Sequence, residues 1–190
     1  VHGKATILQK MNGDYDRKFP QARALYLYMM THPGKKLNFM GNEIGHFREW
    51  DEKREQDWEL LRYPLHDAFF HYIKTLNHLY QTHPALYEWD YRQEGFQWLD
   101  CEQDGSCSYA FLRIGRGEKL VVVLNLDDHP VLDYCLRIPG GERLELLLNT
   151  DWQSWGGNTP EKPQHVFPRQ SGEFFVDIPP LSGMMFRVER

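Results

Sequence analysis

Just after Leu86 the spacing of apolar residues changes from a period near 3.6 to a period near 2, so the chain must build two different kinds of layer. Before the change, Leu65, Phe69, Tyr72, Ile73, Leu76, Leu79 and Tyr80 step by three and four and form one apolar stripe. His83-Pro84 ends that helix, because the residue before a proline is pushed out of helical geometry. Further upstream, Pro20 stands where a first helical turn tolerates it, and residues 21–31 follow without a breaker until Pro33-Gly34. Ala22, Leu25 and Met29 mark one face of that helix. Residues 37–40, Leu-Asn-Phe-Met, predict a short strand closed by Gly41, and a polar segment runs from Asn42 to about Asp57. Helix, buried strand, long loop, helix is the order found in an α/β barrel.

After the change the pattern predicts strands at 96–100, 108–114, 119–126, 132–138, 144–148, 174–178 and 184–188. Turn signals separate them: Asp104-Gly105, Gly115-Arg116-Gly117, Asp127-Asp128-His129-Pro130, Pro139-Gly140-Gly141 and Ser171-Gly172. Short strands at this density predict an antiparallel sandwich. The expected fold is therefore α+β. Residues 1–86 form the terminal part of a (β/α)8 barrel, its last strand with flanking helices, and residues 87–190 form an all-β sandwich. No low-complexity linker separates the two, so they are expected to pack directly. A lone barrel strand leaves apolar surface and strand edges uncovered, which predicts that the first part either self-associates or is held less firmly than the sandwich.

Composition excludes several classes. A 41% hydrophobic and 26% charged content fits a soluble globular chain, and no run approaches the ~18 apolar residues of a membrane span. The net charge of −5 with scattered Lys and Arg shows no basic face for nucleic acid. Cys101, Cys107 and Cys135 are too sparse for a disulfide framework and lack zinc spacing, which points to a reducing, cytoplasmic setting. Val1-His2-Gly3-Lys4 carries no initiator Met and no signal-peptide pattern, and reads as a start inside a longer protein.

In a parallel barrel the loops after the strands build the active site. Glu43 follows the predicted strand by three residues, and His46, Arg48, Glu49, Trp50, Asp51, Asp57 and Trp58 share its loop. A carboxylate, a guanidinium and an indole can grip a sugar ring together, which makes Glu43, Arg48 and Trp50 the candidate binding residues. The competing reading is a loop held by Arg48 or Arg54 pairing with its acids, with Trp58 plugging the core beneath. Glycoside chemistry needs two carboxylates flanking the bond, and a complete pair is not evident, so no catalytic residue is assigned. His2 and Lys4 are equally a site or a polar turn. His66 and His71 read as exposed helix positions, and no metal spacing occurs. Trp152 and Trp155 flank a long loop of the sandwich and are either a secondary glucan platform or loop packing.

Several segments together resemble the bacterial glycogen (1,4-α-glucan) branching enzymes of the α-amylase superfamily. They are Val1-His2-Gly3-Lys4, Pro33 through Glu43, Arg48-Glu49-Trp50, Asp57-Trp58-Glu59-Leu60-Leu61, Glu94 through Leu99, Leu148-Asn149-Thr150-Asp151 and Ile178-Pro179-Pro180-Leu181. The resemblance runs from end to end. It implies a C-terminal piece of an enzyme that makes α-1,6 branches by retaining transglycosylation on α-glucan chains, without a cofactor. It also implies that residues 37–40 are the eighth strand, residues 65–82 part of the eighth helical region, and the catalytic acids upstream of Val1. The chain alone is then expected to be inactive. Two alternatives remain, a free-standing glucan-binding module using Trp152 and Trp155, and a hydrolytic amylase relative.

Overall fold

The computed structural model describes residues 3–100 and 107–189. His2, Cys101 and the Asp104-Gly105 turn lie outside them. A short helix α1 (Ile7–Lys10) opens the chain, closed by a reciprocal cap in which the Thr6 hydroxyl accepts from the Gln9 amide and the Gln9 side chain accepts from the Thr6 amide. Helix α2 (Tyr15–Thr31) follows, and α3 (Pro64–Thr82) packs against it. Helix α2 starts five residues before Pro20, which the sequence pattern placed in the first helical turn. Tyr15 and Phe19 pack edge-on at 5.2 Å, with Phe19 fully buried, so tertiary contact holds a first turn that the pattern did not reveal. Pro20 therefore lies inside the helix, at the cost of one main-chain hydrogen bond.

The strands are β1 (Phe96–Asp100), β2 (Ser108–Gly115), β3 (Glu118–Asn125), β4 (Val131–Arg137), β5 (Arg143–Asn149), β6 (His165–Val166), β7 (Glu173–Ile178) and β8 (Ser182–Glu189). All pairings are antiparallel, in a six-stranded sheet of order β1-β2-β3-β8-β5-β6 and a two-stranded sheet β4-β7. Seven of these strands match the expected ones to within two residues at either end, and only the two-residue β6 is new.

Residues Leu120 to Leu124 are buried on both faces of the large sheet, which explains why β3 reads as a continuous apolar run instead of alternating. One face meets the small sheet, whose Phe174, Val176 and Ile178 point inward. The other meets α2. Gly183 marks the contact, since a Cβ there would stand 2.6 Å from a Leu124 methyl and 2.7 Å from a Leu27 methyl. One apolar cluster runs from Phe19 and Leu27 through Phe69 and Tyr72 to Val122 and Phe186, so helices and sheets share a core.

Two buried guanidiniums tie the layers. Arg23 on α2 donates to the carbonyls of Thr150 (2.6 Å) and Trp155 (3.0 Å), and the Tyr72 hydroxyl of α3 donates to the Arg23 carbonyl at 2.7 Å. Burial lowers the basicity of Arg23. Arg113 of β2 donates to Thr31 O at the end of α2, to Leu86 O at 3.0 Å, and to Asp90. It satisfies a carbonyl that the helix terminus leaves without an internal donor.

The predicted strand at 37–40 is not formed. Residues 35–39 belong to no helix or ladder, and among the described residues the main-chain N–H groups of Lys35 through Met40 donate to no protein acceptor. Strands exist only as partners of other strands, and none of the eight runs beside this segment.

Arg113→Leu is expected to destabilise the chain by about 3–5 kcal/mol in denaturant unfolding, because it strands the buried Asp90 carboxylate. Adding Asp90→Leu should recover much of that loss, and a double variant no more stable than the single one contradicts the assignment.

Candidate functional site

The loop at 41–58 is shaped by two glycines. Gly41 (φ 84°) and Gly45 (φ 67°) adopt left-handed conformations on either side of a single 3-10 turn, Asn42–Ile44. A Cβ on Gly41 would meet Gln56 Oε1 at 2.7 Å and the His46 ring at 2.8 Å, so this approach also requires the missing side chain. The Gly41 carbonyl accepts from the amides of Ile44 (3.3 Å) and His46 (3.0 Å), and this fold-back presents Glu43 at the turn.

Beyond the turn the loop is cross-tied. Arg48 donates to both oxygens of Asp57, at 2.7 and 3.2 Å, and to the carbonyls of Glu49 (3.2 Å) and Glu55 (2.9 Å). His46, 1% exposed, accepts from the Asp57 amide at Nε2 (2.9 Å) while Nδ1 meets the Arg48 carbonyl at 3.1 Å, which fixes the neutral ring with its hydrogen on Nδ1. Glu49 accepts from the amides of Gly3 (2.8 Å) and Ala5 (2.6 Å), bonds that hold its carboxyl below the usual range, the Ala5 one first. The Asn42 side chain accepts from the Ile7 amide at 3.2 Å. Helix α3 is seated on the loop by His66, which donates from Nδ1 to the Ile44 carbonyl at 2.8 Å.

The candidate residues thus divide. Arg48 is committed to Asp57 and two carbonyls, the arrangement that the loop-holding reading describes. Glu43 has Oε2 fixed by the Asn38 amide at 2.9 Å, and among the described residues Oε1 accepts no hydrogen bond. Trp50 is half-buried and meets Phe39 edge-on at 5.9 Å. Trp58 is 48% exposed and plugs no core.

Several positions differ from expectation. His66 is buried, not exposed, because it lies in the first turn of α3 where the loop covers it; its ring meets Phe19 edge-on at 5.1 Å, and desolvation lowers its basicity. His71 is exposed as expected. Trp152 and Trp155 are buried at 8% and 9% exposure, and Trp155 packs on Tyr72 at 5.8 Å. They join the loop after β5 to α3, offer no open platform, and favour loop packing. Lys4 is exposed, and Cys107 and Cys135 are free thiols. The tying roles of buried His46 and of Glu49 went unread, since local spacing carries no signal for partners 11 to 46 residues away.

Residues 98–189 match the family described as "Alpha amylase, C-terminal all-beta domain". The whole chain is 40% identical to the 1,4-alpha-glucan branching enzyme GlgB of Oceanobacillus iheyensis over 31% of that enzyme's length. It is likewise 39% identical to that of Nitrosococcus oceani over 26%, and 40% identical to that of Aquifex aeolicus over 31%. The chain therefore spans about a third or less of these relatives. Among solved structures, the native Nostoc punctiforme debranching enzyme aligns with 98% of this chain and 34% of its own at a TM-score of 0.69. At 20% identity that likeness concerns the fold alone. No described helix is long and apolar enough to cross a membrane.

The Asp57 carboxyl is held below its ordinary value of 3.8, chiefly by the Arg48 hydrogen bond. A lowered carboxyl stabilises the folded loop fully above that ordinary value and loses the contribution as pH falls through its lower folded value. Near neutral pH, Arg48→Met should therefore speed hydrogen exchange at the Asp57 amide while leaving the middle of α3 protected. Unaltered exchange at that amide would remove Arg48 as the tie.

Proposed function

Because the chain is related along its whole length to the C-terminal part of the 1,4-α-glucan branching enzymes, we propose that it completes the sugar-processing barrel of such an enzyme and braces it with the β-sandwich. The division falls near residue 86: residues 1–86 close the barrel, and residues 87–190 form the supporting domain. One observation carries the reading. Among the described residues, the main-chain N–H groups of residues 35–40 have no acceptor, and the segment leads straight into a loop cross-tied by Arg48, Asp57 and His46. An unpaired segment of strand composition next to a cross-tied loop fits the last stave of a barrel whose neighbours lie elsewhere in a longer protein.

In this reading the reaction is retaining transglycosylation. A carboxylate attacks the anomeric carbon of an α-1,4 bond as an acid protonates the departing oxygen, and a 6-hydroxyl of a glucan chain then displaces the enzyme carboxylate. This segment supplies neither acid. It supplies binding, with the Glu43 carboxylate accepting from sugar hydroxyls and the Trp50 ring lying against an apolar sugar face. Arg48 acts by holding the loop that carries them. No cofactor enters, the partner is an α-glucan, and the setting is the cytoplasm. The alternative of a free-standing glucan module loses its support with Trp152 and Trp155 buried.

Two experiments test this. In the full-length enzyme, Trp50→Ala should lower kcat/KM on amylose about tenfold, ~1.4 kcal/mol, with unfolding unchanged. The isolated chain should give no branching when amylose–iodine absorbance is followed. Wild-type kinetics in the first or turnover in the second would sink the reading. The same segment exposes Leu37 (81%), Met40 (54%) and Phe39 (41%), so the isolated chain should self-associate in sedimentation and Leu37→Lys should weaken it. A monomer at all concentrations contradicts the uncovered segment.

A further inference from the structure

We propose that Tyr26 and Asn38 form a positioning relay for the Glu43 carboxylate, fixing which of its oxygens meets an α-glucan hydroxyl. This deepens, and rests on, the reading of Glu43 as a sugar-contacting group. The relay begins on α2, where the Tyr26 ring is 3% exposed and packs edge-on against Phe69 at 5.6 Å. Its hydroxyl donates to Asn38 Oδ1 at 2.5 Å, and Asn38 Nδ2 donates to Glu43 Oε2 at 2.9 Å. Tyr26 thus reaches from the core, through one exposed amide, to the carboxylate at the turn.

The chemistry of the amide makes the order matter. An Asn side chain offers an acceptor on one end and a donor on the other, and only the donor end suits a carboxylate. A 180° flip would set Oδ1 against Glu43 and replace a hydrogen bond by repulsion. Tyr26 opposes the flip because its hydroxyl donates to the oxygen end. Burial, followed by the Glu43 charge, makes the Tyr26 hydroxyl a weaker acid than an ordinary tyrosine, so that hydroxyl keeps its hydrogen. The consequence is directional. Glu43 Oε2 is occupied, whereas Oε1 accepts nothing among the described residues. A carboxylate with one oxygen pinned presents the other along one line, ready to accept from a sugar hydroxyl without losing side-chain freedom on binding.

A double-variant cycle in the full-length enzyme separates positioning from mere support. Glu43→Gln, Tyr26→Phe, Asn38→Leu and the combination of Tyr26→Phe with Glu43→Gln are compared for KM and kcat on amylose, after matching thermal unfolding. Tyr26→Phe keeps the ring in the core and removes one oxygen, and Asn38→Leu alters an exposed side chain, so neither depends on repacking. Each is expected to raise KM about three- to tenfold, the loss of one hydrogen-bond constraint, while kcat stays within about twofold. Added to Glu43→Gln, Tyr26→Phe should cost nothing further, because the relay acts only through that carboxylate. Additive losses, or a normal KM in Tyr26→Phe beside an impaired Glu43→Gln, overturn the relay and leave the sugar-binding reading intact. A normal KM in Glu43→Gln overturns that reading, and the proposal with it.

Discussion

The structure depends on two arginines placed where only apolar side chains are expected. Arg23 and Arg113 are each 1% exposed or less, and each spends its guanidinium mostly on main-chain carbonyls from another layer. Arg23 gathers the loop after β5 onto α2; Arg113 gathers the end of α2 and the stretch from Leu86 to Asp90 onto β2. Carbonyl groups at loop and helix ends must find donors when the layers close, and a guanidinium offers five in a fixed plane. Hydrophobic contact alone would join helices and sheets loosely in orientation. The guanidiniums add direction, so the helical part cannot slide along the sandwich without leaving buried carbonyls unpaired.

That coupling sets the position of the loop. Helix α2 carries Tyr26 towards the segment before Gly41, and α3 carries His66 beneath Ile44. Both helices are fixed to the sheet by one shared core, so the sandwich acts as a foundation for the loop. The sandwich then has a physical task of its own: it holds the two helices between which the loop is strung. Burial of Trp152 and Trp155 suits that role, since the indoles fill the seam between α3 and the β5 loop.

The strands were legible because their signals are local. Alternating burial, as in Glu173–Ile178, and glycine turns at Gly117, Gly140 and Gly172 record two-residue periodicity and left-handed corners directly in the sequence. Helix α3 was legible for the same reason, with its stripe of Phe69, Tyr72, Ile73 and Leu76 buried. What failed depended on distant partners. The start of α2 at Tyr15 rests on Phe19 being buried, and His66 is buried because a loop 22 residues upstream covers it. Arg113 was within reach: it shares a strand face with Phe111, and alternation alone places it inward.

The segment at 37–40 shows the limit of period reading from the other side. Its composition is that of a strand, but a strand is a relation between chains of backbone, and no neighbour here offers one. The segment is nonetheless held near both ends: Tyr26 grips Asn38, and the Gly41 carbonyl just beyond it accepts from two amides. A stretch anchored at both ends and unpaired along its length has its course fixed before any strand partner arrives. Pairing it then orders little additional chain, so the entropy cost that opposes sheet formation is already largely met by the loop. The cross-ties among Arg48, Asp57, His46 and Glu49 fix the loop into which this stretch runs.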